Sequence, residues 1–309
     1  MAVARVPVTA ATRIVGVIGD PIAHSRSPVM HNAAFRALDL PFAYCAFRVT
    51  AAEVHAAVAA VRALGLAGLN VTIPHKQAVI PYLDELSPVA RLTGAVNTIV
   101  NRDGVLFGDN TDVPGLARAL DEAGLGARLK LAVVLGAGGS ARAAVAALAR
   151  RARTVVIAAR RSAQASALVD ELQPGLRARL IALPLADLLA PASRGGAAHL
   201  AQAGVVVHTT PVGMHDDDVL PLDYAATPAS CLFYDLIYTQ RQTPFLAAAK
   251  RARRGGANGL GMLLHQGAVA FELWTGARAP VDVMRRALRS APSNAAAAAP
   301  VVGPRRRAR

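Results

Sequence analysis

Apolar positions along the chain recur with two periods, and the switching between them predicts alternating strands and helices. Residues 14–19 form a short apolar run ended by glycine, the mark of a buried strand. After a polar loop, helical spacing covers residues 29–40 and stops at Pro41. A strand follows over 44–49, an amphipathic helix over 53–64 and a strand over 66–73, which Pro74 breaks before a helix begun by Lys76. A sharper strand–helix–strand unit comes next: an apolar run at 131–135, a glycine turn at 136–140, an Ala-rich helix at 141–150 and a strand at 154–158. Later strands are expected at 204–207 and 231–235, and helical spacing resumes over 262–274 and 281–288.

Composition narrows the class. The chain has 309 residues, 53% of them hydrophobic and 17% charged, which supplies enough apolar material for two cores and excludes a disordered protein. No apolar run approaches the ~18–20 residues needed to cross a bilayer, so no membrane partner is expected. Nor does the start carry a secretory signal, which points to the cytoplasm. Cys45 and Cys231 stand far apart with no CxxC pair, against a disulfide scaffold or structural zinc; both are expected to be core residues. The net charge of +14 is partly local: Arg305, Arg306, Arg307 and Arg309 lie in a tail after an Ala/Pro stretch, expected to be disordered. Lysine occurs only at Lys76, Lys130 and Lys250, so the remaining surplus reads as a general preference for arginine rather than a nucleic-acid surface.

Gly136-Ala137-Gly138-Gly139-Ser140-Ala141 fits G-x-G-x-x-A between a strand and a helix. Glycines there permit the tight turn and let the backbone approach a pyrophosphate seated on the helix N-terminus. At the end of the next strand an NAD site wants a carboxylate on the ribose; this chain has Ala159-Arg160-Arg161-Ser162. Two guanidiniums suit a 2′-phosphate instead, so NADP is the expected cofactor. The architecture is therefore α/β with two domains. Residues 1–112, completed by 260–290 crossing back, form a mostly parallel α/β substrate domain; 113–259 form a Rossmann-like dinucleotide-binding domain; 291–309 are the basic tail.

Four polar clusters interrupt the apolar segments, at 20–28, 70–76, 94–98 and 108–112, each at a strand end or helix start. Their hydroxyls, amides, carboxylates and single ammonium suit a small polyhydroxylated substrate. Lys76 stands out where arginine is used almost everywhere, because a lysine can exchange a proton and a guanidinium cannot. Asp112 could orient that ammonium, or cap a helix before Val113-Pro114; Ser27 before Pro28 could likewise be an N-cap. His24 and His31 lack a third ligand at metal spacing, and His215 beside Asp216-Asp217-Asp218 lacks an EF-hand pattern, so no metal is expected.

Eight strings in order over about residues 14–290 resemble the shikimate dehydrogenase family. They are the runs at 19–32, 70–76, 94–98 and 110–112, then Gly136 to Gly139, Thr209-Thr210-Pro211-Val212-Gly213-Met214, Tyr234-Asp235 with Tyr238, and Gly259-Leu260-Gly261-Met262 with Gln266. The resemblance implies reversible NADPH-dependent reduction of 3-dehydroshikimate to shikimate, on the route to chorismate and the aromatic amino acids. It implies that Lys76 and Asp112 form the acid–base pair and that Ser25 and Ser27 hold the substrate carboxylate. Thr72, Asn97, Tyr238 and Gln266 would contact substrate, while Leu236 and Gly259 would lie on the cofactor. A small-molecule substrate, no nucleic-acid partner, and a monomer or homodimer are what it suggests. Departures are Ala159-Arg160-Arg161 where the family has Asn-Arg-Thr, Gln164 for an arginine, His208 for an asparagine and Gln240 for a proline. The nearest alternative is a quinate/shikimate dehydrogenase with broader substrate or NAD use. A rival of another class is a ligand sensor using the basic tail on nucleic acid, against which the retained Lys76 and Asp112 argue.

Overall fold

The computed structural model describes residues 8–189, 194–214, 220–240 and 242–290. Two six-stranded sheets organise them. The first holds β1 (Arg13–Gly19), β2 (Phe42–Arg48), β3 (Gly68–Val71), β4 (Glu85–Leu86), β5 (Thr98–Arg102) and β6 (Val105–Asp109), in the order β2-β1-β3-β5-β6-β4. Helices α1 (Ser27–Ala37), α2 (Val54–Ala63) and α3 (Pro88–Thr93) connect these strands. The pairs β1–β2, β1–β3 and β4–β6 are parallel, whereas β5 runs antiparallel to both β3 and β6. The β5–β6 hairpin turns on Asp103 and Gly104, with φ of +50° and +92°, the two consecutive left-handed residues that a tight hairpin of this twist requires.

Helix α4 (Asp112–Glu122) leads into the second sheet, which holds β7 (Leu129–Leu135), β8 (Ala152–Ala159), β9 (Arg179–Pro184), β10 (Ala203–His208), β11 (Leu232–Asp235) and β12 (Gly255–Asn258). Its order is β12-β11-β10-β7-β8-β9, all parallel. The helices on its faces are α5 (Gly139–Leu148), α6 (Ser162–Leu172), α7 (Leu185–Leu189), α8 (Arg194–Leu200) and α9 (Pro244–Arg251). Both faces of β7 are covered, so its run Leu131–Leu135 is apolar without alternation. Strand order reverses between β7 and β10, which opens a crevice at their C-terminal ends.

The chain then returns. Helices α10 (Leu260–Thr275) and α11 (Val281–Ser290) bury Leu264, Phe271, Trp274 and Met284 with Val15, Val17, Phe35 and Tyr44 of the first sheet's layer. Trp274 Nε1 donates to the Ile99 carbonyl at 3.0 Å. Helices α4 and α10 cross so closely that a Cβ on Gly115 would lie 2.6 Å from the Gln266 amide nitrogen. Glycine is what lets this crossing form.

Three expectations need correction. No helix begins at Lys76: residues 76–79 form turns that run into a 3-10 turn at Ile80–Tyr82, because Pro81 lacks the N–H and clashes where a continuing helix would bond residue 77. Cys45 is exposed, since β2 is an edge strand, whereas Cys231 is buried. Ser27 is the first residue of α1 rather than its cap, which is Arg26; Asp112 likewise opens α4 after Thr111. The His215 to Asp218 run and the Arg305 to Arg309 tail lie outside the described residues.

Candidate active site

The C-terminal ends of β1 and β3, the β6–α4 junction and one face of α10 converge on a buried polar network. Lys76 sits in the turn after β3, its carbonyl accepting the Val96 amide at 2.7 Å. Its Nζ lies 2.5 Å from Asp112 Oδ2, both side chains almost wholly buried. Asn97 Nδ2 donates to Asp112 Oδ1 at 3.0 Å and to Thr111 Oγ1 at 2.9 Å, and approaches Gln266 Oε1 at 3.4 Å. Asn97 Oδ1 in turn accepts the Thr111 amide at 2.7 Å. One asparagine therefore fixes the carboxylate that fixes the ammonium.

A second chain of bonds leads toward α1. Asn70 Nδ2 donates to the Asn97 carbonyl at 3.1 Å and to Thr98 Oγ1 at 3.0 Å, and Tyr44 donates its hydroxyl to Asn70 Oδ1 at 2.8 Å. Ser27 is buried, and its amide approaches Ser25 Oγ at 3.4 Å. Burial holds the Tyr44 phenol well above its ordinary range, so it stays a neutral donor. Tyr238 packs on the same layer, and burial raises it too, partly offset by the Arg26 charge. Beneath, the His31 ring stacks on Tyr44 with centroids 4.4 Å apart. Full burial depresses its pKa from 6.5 to about 3, and neither ring nitrogen meets a hydrogen-bond partner. Thr72 is half-buried beside β1, its amide bonding the Ile18 carbonyl at 3.0 Å.

The second sheet presents its glycine turn to this cluster. Gly136 has φ +118°, and a Cβ there would collide with Thr209 and Thr210; around Gly138 nothing lies within 4 Å of the corresponding position. A Cβ on Gly139 would sit 3.3 Å from Lys76 Cδ, so the lysine's methylenes run along the first turn of α5. Ala137 lies in the turn, and Ser140 is in the first turn of α5. Arg160 and Arg161 are exposed beyond β8, away from the Lys76 cluster, as the far end of a dinucleotide requires. Gly259 packs directly on the Leu236 backbone, on the opposite flank, where a side chain would have no room. A turn that only glycine can adopt, open space before a helix start and two exposed guanidiniums after β8 fit a phosphorylated dinucleotide. Among the described residues there is no group of three His, Cys, Asp or Glu able to hold a metal, and no helix is long and apolar enough to cross a membrane.

The sequence reading missed Tyr44 and Arg142. Tyr44 gave no local signal, being one aromatic on a strand. Arg142, buried in α5, donates to the Thr93 carbonyl at 3.1 Å and pairs with Glu171 at 2.6 Å, tying the glycine-turn helix to the end of α3. A G-x-G-x-x-A helix whose next residue is a charged one was the available hint.

Comparisons agree with the geometry. Residues 17–99 match the family model described as shikimate dehydrogenase substrate binding domain, and 259–289 that of the shikimate 5′-dehydrogenase C-terminal domain. The chain is 48% identical over 279 residues to the shikimate dehydrogenase (NADP(+)) of Symbiobacterium thermophilum, covering 89% of this chain and 93% of that protein. It is similar to the shikimate 5-dehydrogenase of Listeria monocytogenes solved with shikimate and NAD, with TM-score 0.82 and 36% identity over 91% of this chain and 98% of that one. It is also similar to the quinate dehydrogenase of Corynebacterium glutamicum in complex with NAD, with TM-score 0.80 and 31% identity, over 91% and 99% of the two chains.

Proposed function

The chain belongs to the shikimate dehydrogenase family, and from that membership and the geometry of the cleft we infer that it interconverts 3-dehydroshikimate and shikimate with NADPH and NADP+. The observation that carries the reading is the Lys76–Asp112 pair, 2.5 Å apart, buried, and lying against the glycine turn. The cofactor, when bound, supplies or accepts the hydride. Lys76 gives a proton to the substrate oxygen as the carbonyl becomes a hydroxyl and takes it back in the reverse direction. Asp112, held by Asn97, keeps the ammonium aimed at that oxygen. Ser25 and Ser27 hold the substrate carboxylate; Thr72, Asn97, Tyr238 and Gln266 contact the substrate. Gly136, Ala137, Gly138, Gly139 and Ser140 cradle the pyrophosphate, Arg160 and Arg161 meet the 2′-phosphate, and Leu236 with Gly259 floors the nicotinamide end. In this division residues 1–112 and 260–290 serve the substrate and 113–259 the cofactor. The work is that of a cytoplasmic enzyme of aromatic amino acid biosynthesis, acting as monomer or homodimer.

Nicotinamide absorbance with shikimate and quinate crossed against NADP+ and NAD+ tests this. Turnover restricted to shikimate with NADP+ is expected; strong quinate or NAD+ turnover would overturn the substrate or cofactor assignment. Lys76→Ala should lose about two to four decades in kcat while KM changes little, the effect of removing a general acid. Full activity in that variant would remove Lys76 from the chemistry.

A further inference from the structure

We propose that His208 is a positioning residue for the nicotinamide half of the cofactor, fixing the loop after β10 through Asp235 on one ring nitrogen and Thr210 on the other. The proposal rests on the dinucleotide reading above and deepens it. His208 ends β10 with no exposed surface, its Nδ1 3.0 Å from Asp235 Oδ1 and its Nε2 2.5 Å from Thr210 Oγ1. Asp235, equally buried at the end of β11, also accepts the Ile237 amide at 3.1 Å and the Thr243 hydroxyl at 2.5 Å. Thr243 in turn caps α9 by accepting the Leu246 amide at 3.3 Å. A carboxylate taking donors on every side leaves Nδ1 as the nitrogen that bears the ring hydrogen. With Nδ1 donating, Nε2 accepts the Thr210 hydroxyl, whose oxygen is left to accept the Val212 amide at 3.3 Å. Each polar atom of the set has a complementary partner, and Phe245 covers the ring at 5.0 Å.

Placement turns this network toward the ligand. The Thr209 and Thr210 side chains lie where a Cβ on Gly136 would be, so the loop rests directly on the glycine turn. With β7 between β8 and β10, the arginines beyond β8 mark the adenosine flank of the crevice and β10 marks the other. A dinucleotide crossing that reversal point lays its nicotinamide half over the half-buried Thr210. The connectivity Thr210–His208–Asp235 is also that of a nucleophile, base and carboxylate. However, the Val212 amide bonds the Thr210 oxygen itself and so does not face a carbonyl as an oxyanion donor would. Positioning is the role that the bonds support.

Calorimetric titration of the full chain with NADP+ and with 2′-phospho-ADP-ribose, which lacks the nicotinamide, tests this without turnover. Loss of the loop's anchoring bond in His208→Leu or Thr210→Val should weaken NADP+ about tenfold, while 2′-phospho-ADP-ribose binds within about twofold of wild type. If His208→Leu does not fold, Thr210→Val carries the test, since it leaves the His208–Asp235 pair intact. Equal weakening of both ligands, or of neither, would overturn the proposal, as would nitrogen NMR showing the ring hydrogen on Nε2 alone. Wild-type protein binding neither ligand would instead sink the dinucleotide reading.

Discussion

Acidification should destabilise this protein through one buried side chain, His31. Its ring is fully buried, stacked on Tyr44 and near Phe35, Phe271 and Trp274, and no carboxylate or carbonyl compensates a charge there. Burial lowers its pKa from 6.5 to about 3, so between those values the unfolded chain binds a proton that the folded one refuses. Stability from this group is therefore complete above the unfolded value, falls as pH drops through it, and stops falling near pH 3. The slope is about 1.4 kcal/mol per pH unit, which accumulates to about 2 kcal/mol between roughly pH 7 and pH 5. Urea unfolding of wild type and His31→Phe at both pH values isolates the contribution. Near pH 7 the variant should match or exceed wild type, because it replaces two buried nitrogens that lack partners. Near pH 5 it should be the more stable by about 2 kcal/mol relative to that difference. Parallel pH dependences for the two proteins would refute the argument.

Arg142→Met should cost about 1–3 kcal/mol in the same assay, since it orphans the Thr93 carbonyl, whereas Glu171→Gln should cost under about 1 kcal/mol because Glu171 is half exposed. Equal costs would mean that the ion pair to Glu171 of α6, not the carbonyl bond to α3, carries what Arg142 contributes. Thiol titration with a disulfide reagent should count one fast group, the exposed Cys45, in the native protein and two after unfolding. Burial raises the Cys231 thiol to about 11, so two fast native groups would contradict its placement.

Much of this structure was legible because parallel strands buried on both faces write their position as unbroken apolar runs, as at Leu131–Leu135. The glycine turn was legible because only one residue type tolerates Gly136's φ beside Thr209. Lys76, Asp112 and Asn97 stood at strand ends, where α/β sheets place ligand groups, and they meet in space. What was illegible depended on neighbours distant in sequence. Cys45 looked like a core residue because nothing in β2 announces that it is an edge. β12 is half glycine and carries no apolar signal. His208, Asp235 and Thr243 meet only because β10 and β11 pair in a register that no local pattern states. The β5–β6 hairpin was within reach: Asp103-Gly104 between two runs of β-type residues is a strong short-range turn signal.

The return of α10 and α11 to the first sheet has a consequence for the order in which the protein is made. Val15, Val17, Phe35 and Tyr44 leave the ribosome early, yet their cover, Leu264, Phe271 and Trp274, comes only after the whole second sheet. At ~5–20 residues per second, that apolar face waits on the order of ten seconds or more for its lid. During this interval it is a surface for chaperones or for unwanted association, whereas the second sheet can close with residues already emerged. The part of the chain born first is finished last.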